Sequence, residues 1–279
     1  MKVYSPSATT TFAQCPMKWW LRRRGIGPRV LTKATLAAEL GTLISRGMEH
    51  HHRLELAQGC PDEEYMAQLV AESEVLGNKS RLIVPGNLEV EFGLVVSRAK
   101  RAIEALTKAA PLVKGAWTID AEMVLERHGK ARIDLLLGTE GGSIVVDYKS
   151  KVQVTAYYRE QTKEDYTYSC QMYHYVWALR QLGYKVAEFM IALVVIEPKA
   201  KVYKWLYSVD EDYLKRWETA ALYYWAQMEA IEQGLAVGVP MAPEHRTKFG
   251  MCEMADHCLT GGGAHDEPDG QIFLVKEKA

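Results

Sequence analysis

The chain has 279 residues, of which 48% are hydrophobic and 25% are charged, and its formal net charge is -1. This composition is ordinary for a globular domain, and the near-zero charge excludes a protein that meets polyanions through a global basic field. No apolar run is long enough for a membrane span, the N-terminus lacks the apolar core of a signal peptide, and the scattered cysteines argue against a secreted disulfide framework. We therefore expect a cytoplasmic protein with no membrane partner.

The order of helix and strand signals predicts one α/β domain. Apolar residues at helical spacing predict helices over residues 33–57, 61–76, 94–110, 164–182 and 210–233, and Ser5 or Ser7 can cap an earlier helix with Pro6 in its first turn. Short apolar segments bounded by turn residues predict strands over 117–126, 131–138, 143–150, 187–197 and 201–209. The domain is expected to consist of a helical N-terminal part (1–115), a sheet core (116–208), and a C-terminal helix and tail (209–279).

A predicted hairpin brings two acids and a lysine to one face. If strands 131–138 and 143–150 are joined through the four residues between them, Asp134 lies directly opposite Asp147. Side chains two apart on a strand point to the same face, so Lys149 joins the acids. Facing carboxylates repel each other, and a divalent cation such as Mg²⁺ or Mn²⁺ between them would remove the repulsion. The alternative is a surface hairpin whose lysine simply pairs with an acid on a solvated face.

Five segments along the chain carry short motifs. They are "SPSATTTFAQCPMKWWLRR", "GTLISRGMEHH", "HGKARIDLLL" with Asp134, "VVDYKS" with Asp147 and Lys149, and "QMYHY" with Gln171 and Tyr175. Each motif alone is weakly specific. In this order and spacing they resemble the PD-(D/E)XK nuclease superfamily in its RecB-like branch, which includes CRISPR-associated adaptation exonucleases and many phage exonucleases.

The resemblance implies a fold and a reaction. The fold would be restriction-endonuclease-like, with a three-layer core around a mixed central sheet, a helical N-terminal elaboration and a cysteine-containing C-terminal tail. The reaction would be metal-dependent hydrolysis of DNA phosphodiesters, in which Mg²⁺ or Mn²⁺ lowers the pKa of a bound water. The implied ligands are Asp134, Asp147 and the backbone carbonyl of Tyr148. Lys149 would hold the attacking water or neutralise the negative charge that develops.

The same resemblance gives supporting roles to three more residues. Gln171 and Tyr175 are four apart and share a helix face, where they would line the cleft and orient Lys149 or contact DNA. The alternative for Tyr175 is a place in the hydrophobic core. Glu122 matches a family position that often carries an acid, so it is a further candidate metal ligand, although it could equally be a solvated strand residue.

The segment "GTLISRGMEHHH" departs from the family pattern. Ser45 stands where the family usually has a metal-binding histidine, and a hydroxyl is a poor substitute for an imidazole. Glu49 lies one turn further on the same helix face and could supply an oxygen ligand instead. The three histidines that follow cannot all bind one ion, because consecutive residues point around a helix. We expect at least two of them to lie at a solvated helix end.

The cysteines make the second departure. Many relatives hold a [4Fe-4S] cluster with one cysteine near the N-terminus and three near the C-terminus. Cys15, Cys252 and Cys258 match three of those positions, and four thiolates are the usual holder of such a cluster. We therefore expect either zinc held with a histidine such as His245 or His257, or no metal at all. In each case the C-terminal tail is expected to fold back beside the N-terminal segment.

These features predict a DNA exonuclease of recombination, repair or phage replication. The expected substrates are strand ends or single-stranded segments. In "KWWLRRR" the basic side chains could neutralise phosphates and the tryptophans could stack on bases, or the segment could be an amphipathic helix with buried tryptophans. The alternative function is a catalytically weakened nucleic-acid-binding or assembly module of a larger helicase–nuclease or integration complex, with a recombination or helicase protein as partner. Retention of both aspartates and the lysine argues against such decay.

Overall fold

The computed structural model of the protein describes residues 2–25, 34–56, 89–129, 131–236, 246–247 and 250–251. The helices in these ranges are α1 (Pro6–Gln14), α2 (Pro16–Arg23), α3 (Ala34–Leu56), α4 (Glu89–Lys108), α5 (Ala156–Tyr166), α6 (Cys170–Gln181) and α7 (Glu211–Glu232). The strands are β1 (Trp117–Leu125), β2 (Ala131–Thr139), β3 (Gly142–Lys151), β4 (Val186–Val195), β5 (Lys201–Ser208), β6 (Arg246–Thr247) and β7 (Gly250–Met251). The helix predicted over 61–76 lies outside the described residues. Within the described ranges, no helix has both the length and the apolar character of a membrane span.

The chain divides into two compact units, and both are discontinuous in sequence. The sheet unit consists of Thr32–Leu125 and Arg132–Glu211, and the helical unit consists of Met1–Leu31, Glu126–Ala131 and Asp212–Ala279. The predicted division of one domain into residues 1–115, 116–208 and 209–279 remains a prediction.

A five-stranded mixed sheet forms the centre of the sheet unit. Its strand order is β1-β2-β3-β4-β5. Strand β3 runs parallel to β4, whereas the pairs β2–β3 and β4–β5 are antiparallel. A parallel pair needs a crossover connection, and α5 and α6 lie in the connection from β3 to β4. The sequence predicts these strands and the mixed sheet.

One face of the sheet buries its apolar side chains against α3 and α4. The two helices contribute residues that include Leu40, Ile44, Met48, Ala102 and Leu106, and the β2–β3 hairpin contributes Leu135, Leu137, Ile144 and Val146. Because side chains alternate along a strand, this face takes every second residue of the hairpin. The apolar hairpin face that the sequence predicts is therefore part of the core.

The other face of the sheet packs against α6. Phe189 on β4 contacts Tyr173 of α6, with ring centroids 5.8 Å apart. Val145 on β3 pairs in register with Phe189, and Asp147 pairs with Ile191 on the same face. Strand β3 is thus buried on both faces, as is usual for a strand with a parallel neighbour under a helix. Asp147 is therefore buried in an apolar layer, where only a specific partner can stabilise its charge.

The helical unit contains the basic–aromatic segment in α2. Trp19 is buried, as the amphipathic interpretation of this segment expects. Trp225 of α7 donates from Nε1 to Oγ1 of Thr9 over 2.8 Å. Glu232 accepts from Nε of Arg23 over 2.6 Å, so an acid of α7 engages one of the arginines.

The helix predicted over 164–182 is wrong in its extent, because two helices cover this part of the chain. Thr155 caps α5 by accepting from the N–H of Tyr158, and Ser169 caps α6 by accepting from the N–H of Met172. A serine or threonine side chain that satisfies the first free N–H groups marks a helix start. Ser169 therefore begins a new helix where the sequence pattern suggests a continuous one.

Candidate active site

The register of β2 and β3 sets the position of the two acids. The strands pair in the predicted register, and their ladder ends at Leu135 and Val146. The expected next pair, Asp134 with Asp147, is not part of the ladder. The carboxylate of Asp134 instead accepts at Oδ2 from the N–H of Tyr148 over 2.8 Å. The side chain of Asp134 thus replaces a backbone acceptor at the end of the ladder. This hydrogen bond holds Asp134 beside the strand that carries Asp147.

Asp147 is buried, with 1% of its surface exposed. Its Oδ1 accepts from Nε2 of Gln171 over 3.0 Å, and its Oδ2 lies 2.7 Å from Nζ of Lys149. Burial raises the pKa of Asp147 above its ordinary value, and the positive charge of Lys149 opposes that rise. The carboxylate therefore depends on neighbouring positive charge to remain ionised.

Gln171 connects the acid, the lysine and a tyrosine. Its Oε1 accepts from Nζ of Lys149 over 3.1 Å, and its Nε2 donates to Oδ1 of Asp147 and to the hydroxyl of Tyr175, the latter over 2.7 Å. Both Gln171 and Tyr175 lie on α6, one turn apart. Tyr175 is itself buried, so it is a core residue as well as a partner of Gln171.

Lys149 lies at the partly open end of this group, with 28% of its side chain exposed. Burial lowers the pKa of Lys149. Asp147, Tyr166 and Asp134 together raise it by more than burial lowers it, so the net shift is upward. The ammonium therefore keeps its charge. The negative charge of Asp134 also contributes to raising the pKa of Lys149.

Ser45 reaches the site from α3. Its hydroxyl donates to Oδ1 of Asp134 over 3.4 Å, so the residue predicted to stand in place of a metal-binding histidine contacts one of the predicted ligands. The contact between Ser45 and Asp134 was not predicted, because a serine in place of a histidine was considered only as a poor metal ligand. A hydroxyl at a position of α3 where a metal ligand is expected is the feature from which a hydrogen bond to a neighbouring ligand could have been predicted.

Glu49 is held by a different partner. Its Oε1 lies 2.7 Å from a guanidinium nitrogen of Arg53, one turn further along α3. Among the side chains that the structure describes, no group of three or more His, Cys, Asp or Glu residues is placed to hold a metal ion. The structure thus does not gather Glu49 with the two aspartates, and its role as a substitute ligand remains a prediction.

The expectation for the three consecutive histidines is wrong. His51 and His52 are buried rather than solvated. Nε2 of His52 lies 2.6 Å from the hydroxyl of Tyr148, and the two rings stack with centroids 6.0 Å apart. The reason is that α3 packs its last turns onto the sheet, so the helix end that carries the histidines faces the core. His52 therefore contacts the residue whose backbone holds Asp134.

Several predicted site residues lie outside the part of the chain that the structure describes in full. The side chain of Glu122 on β1, and the residues Cys252 and Cys258 with their candidate histidine partners, lie outside the described positions. Cys15 is described as a free thiol. Its Sγ accepts from the N–H of Lys18 over 3.4 Å and so caps α2. The cluster, zinc and no-metal alternatives, and the closure of the chain ends, remain predictions.

The chemistry of the donors fits a divalent cation. Oδ2 of Asp147 is buried, and no hydrogen bond of good angle reaches it from the described residues. Its close contact is the ion pair with Lys149. A divalent cation beside Asp147 and Asp134 would add positive charge to that of Lys149 and so stabilise two carboxylates, of which one is buried. Asp134 adds a second carboxylate and Tyr148, which follows Asp147 on β3, adds a backbone carbonyl, so hard oxygen donors are available for Mg²⁺ or Mn²⁺.

Comparisons with known proteins identify the family and the fold of the chain. The family model for the PD-(D/E)XK nuclease superfamily matches residues 3–259. A crystal structure of a proposed exonuclease from Eubacterium rectale is similar, with a TM-score of 0.53 and 16% sequence identity, over 93% of this chain and 88% of that one. No curated protein sequence matches the chain. The structural likeness concerns the fold alone, and with the family match it confirms the predicted restriction-endonuclease-like class.

Proposed function

Because the chain belongs to the PD-(D/E)XK nuclease superfamily, we propose that it is a metal-dependent deoxyribonuclease that hydrolyses DNA phosphodiester bonds. The observation that carries the proposal is the hydrogen-bonded group of Asp147, Lys149 and Gln171, with Asp134 held beside it by the N–H of Tyr148. Members of the superfamily generally use divalent metals such as Mg²⁺ or Mn²⁺.

The two aspartates and the carbonyl of Tyr148 would hold the metal. When bound, the ion supplies an activated water and positive charge for the phosphate. Asp147 is held at Oδ1 by Gln171, and its Oδ2, which pairs with Lys149 at 2.7 Å, is the oxygen that the ion would share. Asp134 is oriented at both oxygens, by Tyr148 and by Ser45. The protein thus fixes both carboxylates before the substrate binds, and fixed ligands reorganise little during the reaction.

Lys149 would act directly on the reacting groups. An ammonium has three donor positions, and in the described structure Gln171 and Asp147 occupy two of its directions. The remaining donor can hold the attacking water or a non-bridging phosphate oxygen. As an ammonium, Lys149 would serve as donor and positive charge rather than as general base.

We further propose an exonuclease that acts on strand ends or single-stranded segments in recombination, repair or phage replication, with a helicase or recombination protein as a candidate partner. The support for exonuclease action is the similar fold of the proposed exonuclease from Eubacterium rectale. The test is digestion of end-labelled linear DNA and covalently closed circular DNA with Mg²⁺, with Mn²⁺ and with a chelator. We expect metal-dependent shortening of the linear DNA from its ends and an intact circle. Cleavage of the circle would contradict exonuclease action. Absence of cleavage of both DNAs would contradict deoxyribonuclease activity.

The second candidate function is a weakened binding or assembly module. The observation that favours it is Ser45, which supplies a hydroxyl to Asp134 where the family usually supplies an imidazole. In that case the protein would bind DNA but would not shorten it at any metal concentration. The same digestion, run beside a binding measurement on the same DNA, separates the two candidates.

A further inference from the structure

Helix α5 is unusual because it buries none of its eleven residues. It follows the strand that carries Lys149 and precedes the helix that carries Gln171. An eleven-residue helix without a buried face has little stability of its own. It is supported by a threonine cap at its start, by a contact of Arg159 with Tyr203, and by a hydrogen bond from the hydroxyl of Tyr207 to the carbonyl of Lys163 over 2.8 Å. The helix is thus held over the sheet mainly by polar and aromatic contacts.

The first turn of α5 presents two aromatic rings to solvent. Tyr157 is 67% exposed and Tyr158 is 59% exposed, and their ring centroids are 5.5 Å apart. Large aromatic side chains are seldom this exposed as neighbours, because burying each would be favourable. Arg159 follows directly, with its guanidinium 4.7 Å from the ring centroid of Tyr203. It also contacts exposed Glu160 at 3.3 Å, a pair that water screens strongly.

The register of the sheet connects this surface to the candidate active site. Lys149 pairs with Leu193, and Leu193 pairs with Tyr203 on the next strand. Residues paired across a sheet point to the same face, and each strand is about 4.8 Å from the next, so Tyr203 lies about 10 Å from Lys149 on the same face. A strand of a few nucleotides bridges such a distance.

Basic side chains accompany the tyrosines on this face. Lys151 pairs with Val195, which pairs with Lys201. On its own strand, Lys151 is therefore the next residue after Lys149 that points to this face, and Lys201 is the one before Tyr203. Both are exposed, and Nζ of Lys201 lies 5.1 Å from the ring centroid of Tyr203. Exposed aromatics beside a row of cations form the combination that binds unpaired nucleic acid, through base stacking and phosphate neutralisation.

We propose that the start of α5 and the adjacent end of β5 form a binding surface for unpaired DNA, which delivers a single strand to Lys149. The surface consists of Tyr157, Tyr158, Arg159, Lys201 and Tyr203. Tyr157 and Tyr158 stack on bases. Arg159 and Lys201 neutralise the phosphates of the nucleotides that lie between the two tyrosines and the candidate active site. This inference rests on the proposed nuclease function, and it names single-stranded DNA as the form that the site receives.

The test measures binding of a fluorescein-labelled oligothymidylate and of a blunt-ended DNA hairpin by fluorescence anisotropy, in a chelator so that no cleavage occurs. The double variant Tyr157→Ala/Tyr158→Ala should lose roughly 10-fold or more in affinity for the oligothymidylate and little for the hairpin. The double variant Tyr157→Phe/Tyr158→Phe keeps both rings and should bind like the wild type. Tyr223→Ala is the matched control, because Tyr223 is 60% exposed beside Tyr224 but is not part of the proposed surface.

A second variant tests the cations independently of the rings. Lys201→Ala should weaken oligothymidylate binding and lower the slope of log affinity against log salt by about one phosphate contact. Circular dichroism checks that all variants fold, and Tyr158→Ala alone replaces the double variant should that one fail to fold. Wild-type affinity in the alanine variants would overturn the proposal and leave these tyrosines to a protein partner. An equal loss for the hairpin would overturn the assignment of the surface to unpaired DNA. Wild-type protein that binds the oligothymidylate through the tyrosines but cleaves no DNA would instead contradict the proposed nuclease function.

Discussion

Gln171 donates from Nε2 to the buried Oδ1 of Asp147 over 3.0 Å. The same amide accepts at Oε1 from Lys149. The reverse amide orientation would face its oxygen to a carboxylate and its NH₂ to an ammonium, so only one orientation satisfies both neighbours. Gln171 therefore fixes the acid and the lysine relative to each other, and it is a positioning residue.

Replacing Gln171 should impair turnover while the protein stays folded. Gln171→Leu should lower kcat/KM for linear DNA roughly 10- to 100-fold, as is typical when a partner that orients a metal ligand is removed. Tyr175→Phe is the matched control, because it removes only the hydroxyl that accepts from Gln171. We expect a smaller loss for this variant. Full activity of Gln171→Leu in end-labelled DNA digestion would refute the positioning role.

Ser45 should influence metal binding through Asp134. Ser45→Ala removes the hydroxyl that donates to Oδ1 of Asp134, so the Mn²⁺ concentration for half-maximal activity should rise by a few-fold. Ser45→His restores the residue type that relatives use and should lower that concentration. Isothermal titration with Mn²⁺ measures the affinity without DNA. Identical titrations for the wild type and both variants would show that α3 does not contribute to the metal site.

The predicted role of Glu49 has its own test. If Glu49 substitutes for the family imidazole, Glu49→Gln should raise the metal concentration needed for activity, because a hard cation prefers a carboxylate to an amide. Arg53→Ala is the companion variant, since it frees Glu49 from its ion pair and should then favour metal binding. Metal titrations that are unchanged in both variants would leave a site built on the two aspartates.

Glu232 should stabilise the helical unit in a pH-dependent way. Burial raises the pKa of Glu232, but hydrogen bonds from Lys2, Arg23 and Tyr4 outweigh burial and lower it below its ordinary value. A depressed carboxylate pKa stabilises the folded state above the unfolded pKa of about 4.3, and this contribution is lost as the pH falls through the lower folded value. Glu232→Gln should cost about 1–3 kcal/mol of unfolding free energy at neutral pH and less in acid.

Urea denaturation at neutral and acidic pH measures the effect of Glu232→Gln. Glu229→Gln is the matched control on the same helix, because the hydrogen bond that Glu229 accepts from the backbone N–H of Lys2 is long, at 3.4 Å. An equal loss of stability at both pH values would show that the charge of Glu232 is not what stabilises the fold.

Gly129 should tolerate no side chain. Its φ is +80°, and a Cβ there would lie 2.4 Å from the backbone of Tyr4. Gly129→Ala should therefore destabilise the protein by more than the roughly 1–2 kcal/mol of the left-handed backbone alone. Gly183→Ala is the control, because Gly183 has φ +89° but open space around it. Equal midpoints for the two variants in thermal denaturation would show that the close approach to Tyr4 does not matter.

Much of the sheet unit follows from local pattern. Glycine-bounded apolar segments predicted the strands, and the hairpin register that places Asp134 near Asp147 follows from turn length. The point at which the ladder ends does not follow from turn length. The sequence cannot show that the carboxylate of Asp134 replaces a backbone acceptor for the N–H of Tyr148. The burial of His51 and His52 was missed for a similar reason. Helical spacing gives a face, but the depth at which α3 packs on the sheet is a tertiary property.

The measurement that tests the central claim most directly is DNA cleavage and Mn²⁺ binding by Asp147→Asn. This change keeps the shape of the buried side chain and removes the charge that faces Lys149. We predict that digestion of end-labelled DNA falls at least about 10³-fold, that Mn²⁺ binding by calorimetry is lost, and that the circular dichroism spectrum is unchanged. Asp212→Asn, at an exposed acid of α7, should behave like the wild type. Cleavage and Mn²⁺ binding by Asp147→Asn at wild-type levels would contradict the account and place the chemistry elsewhere in the protein.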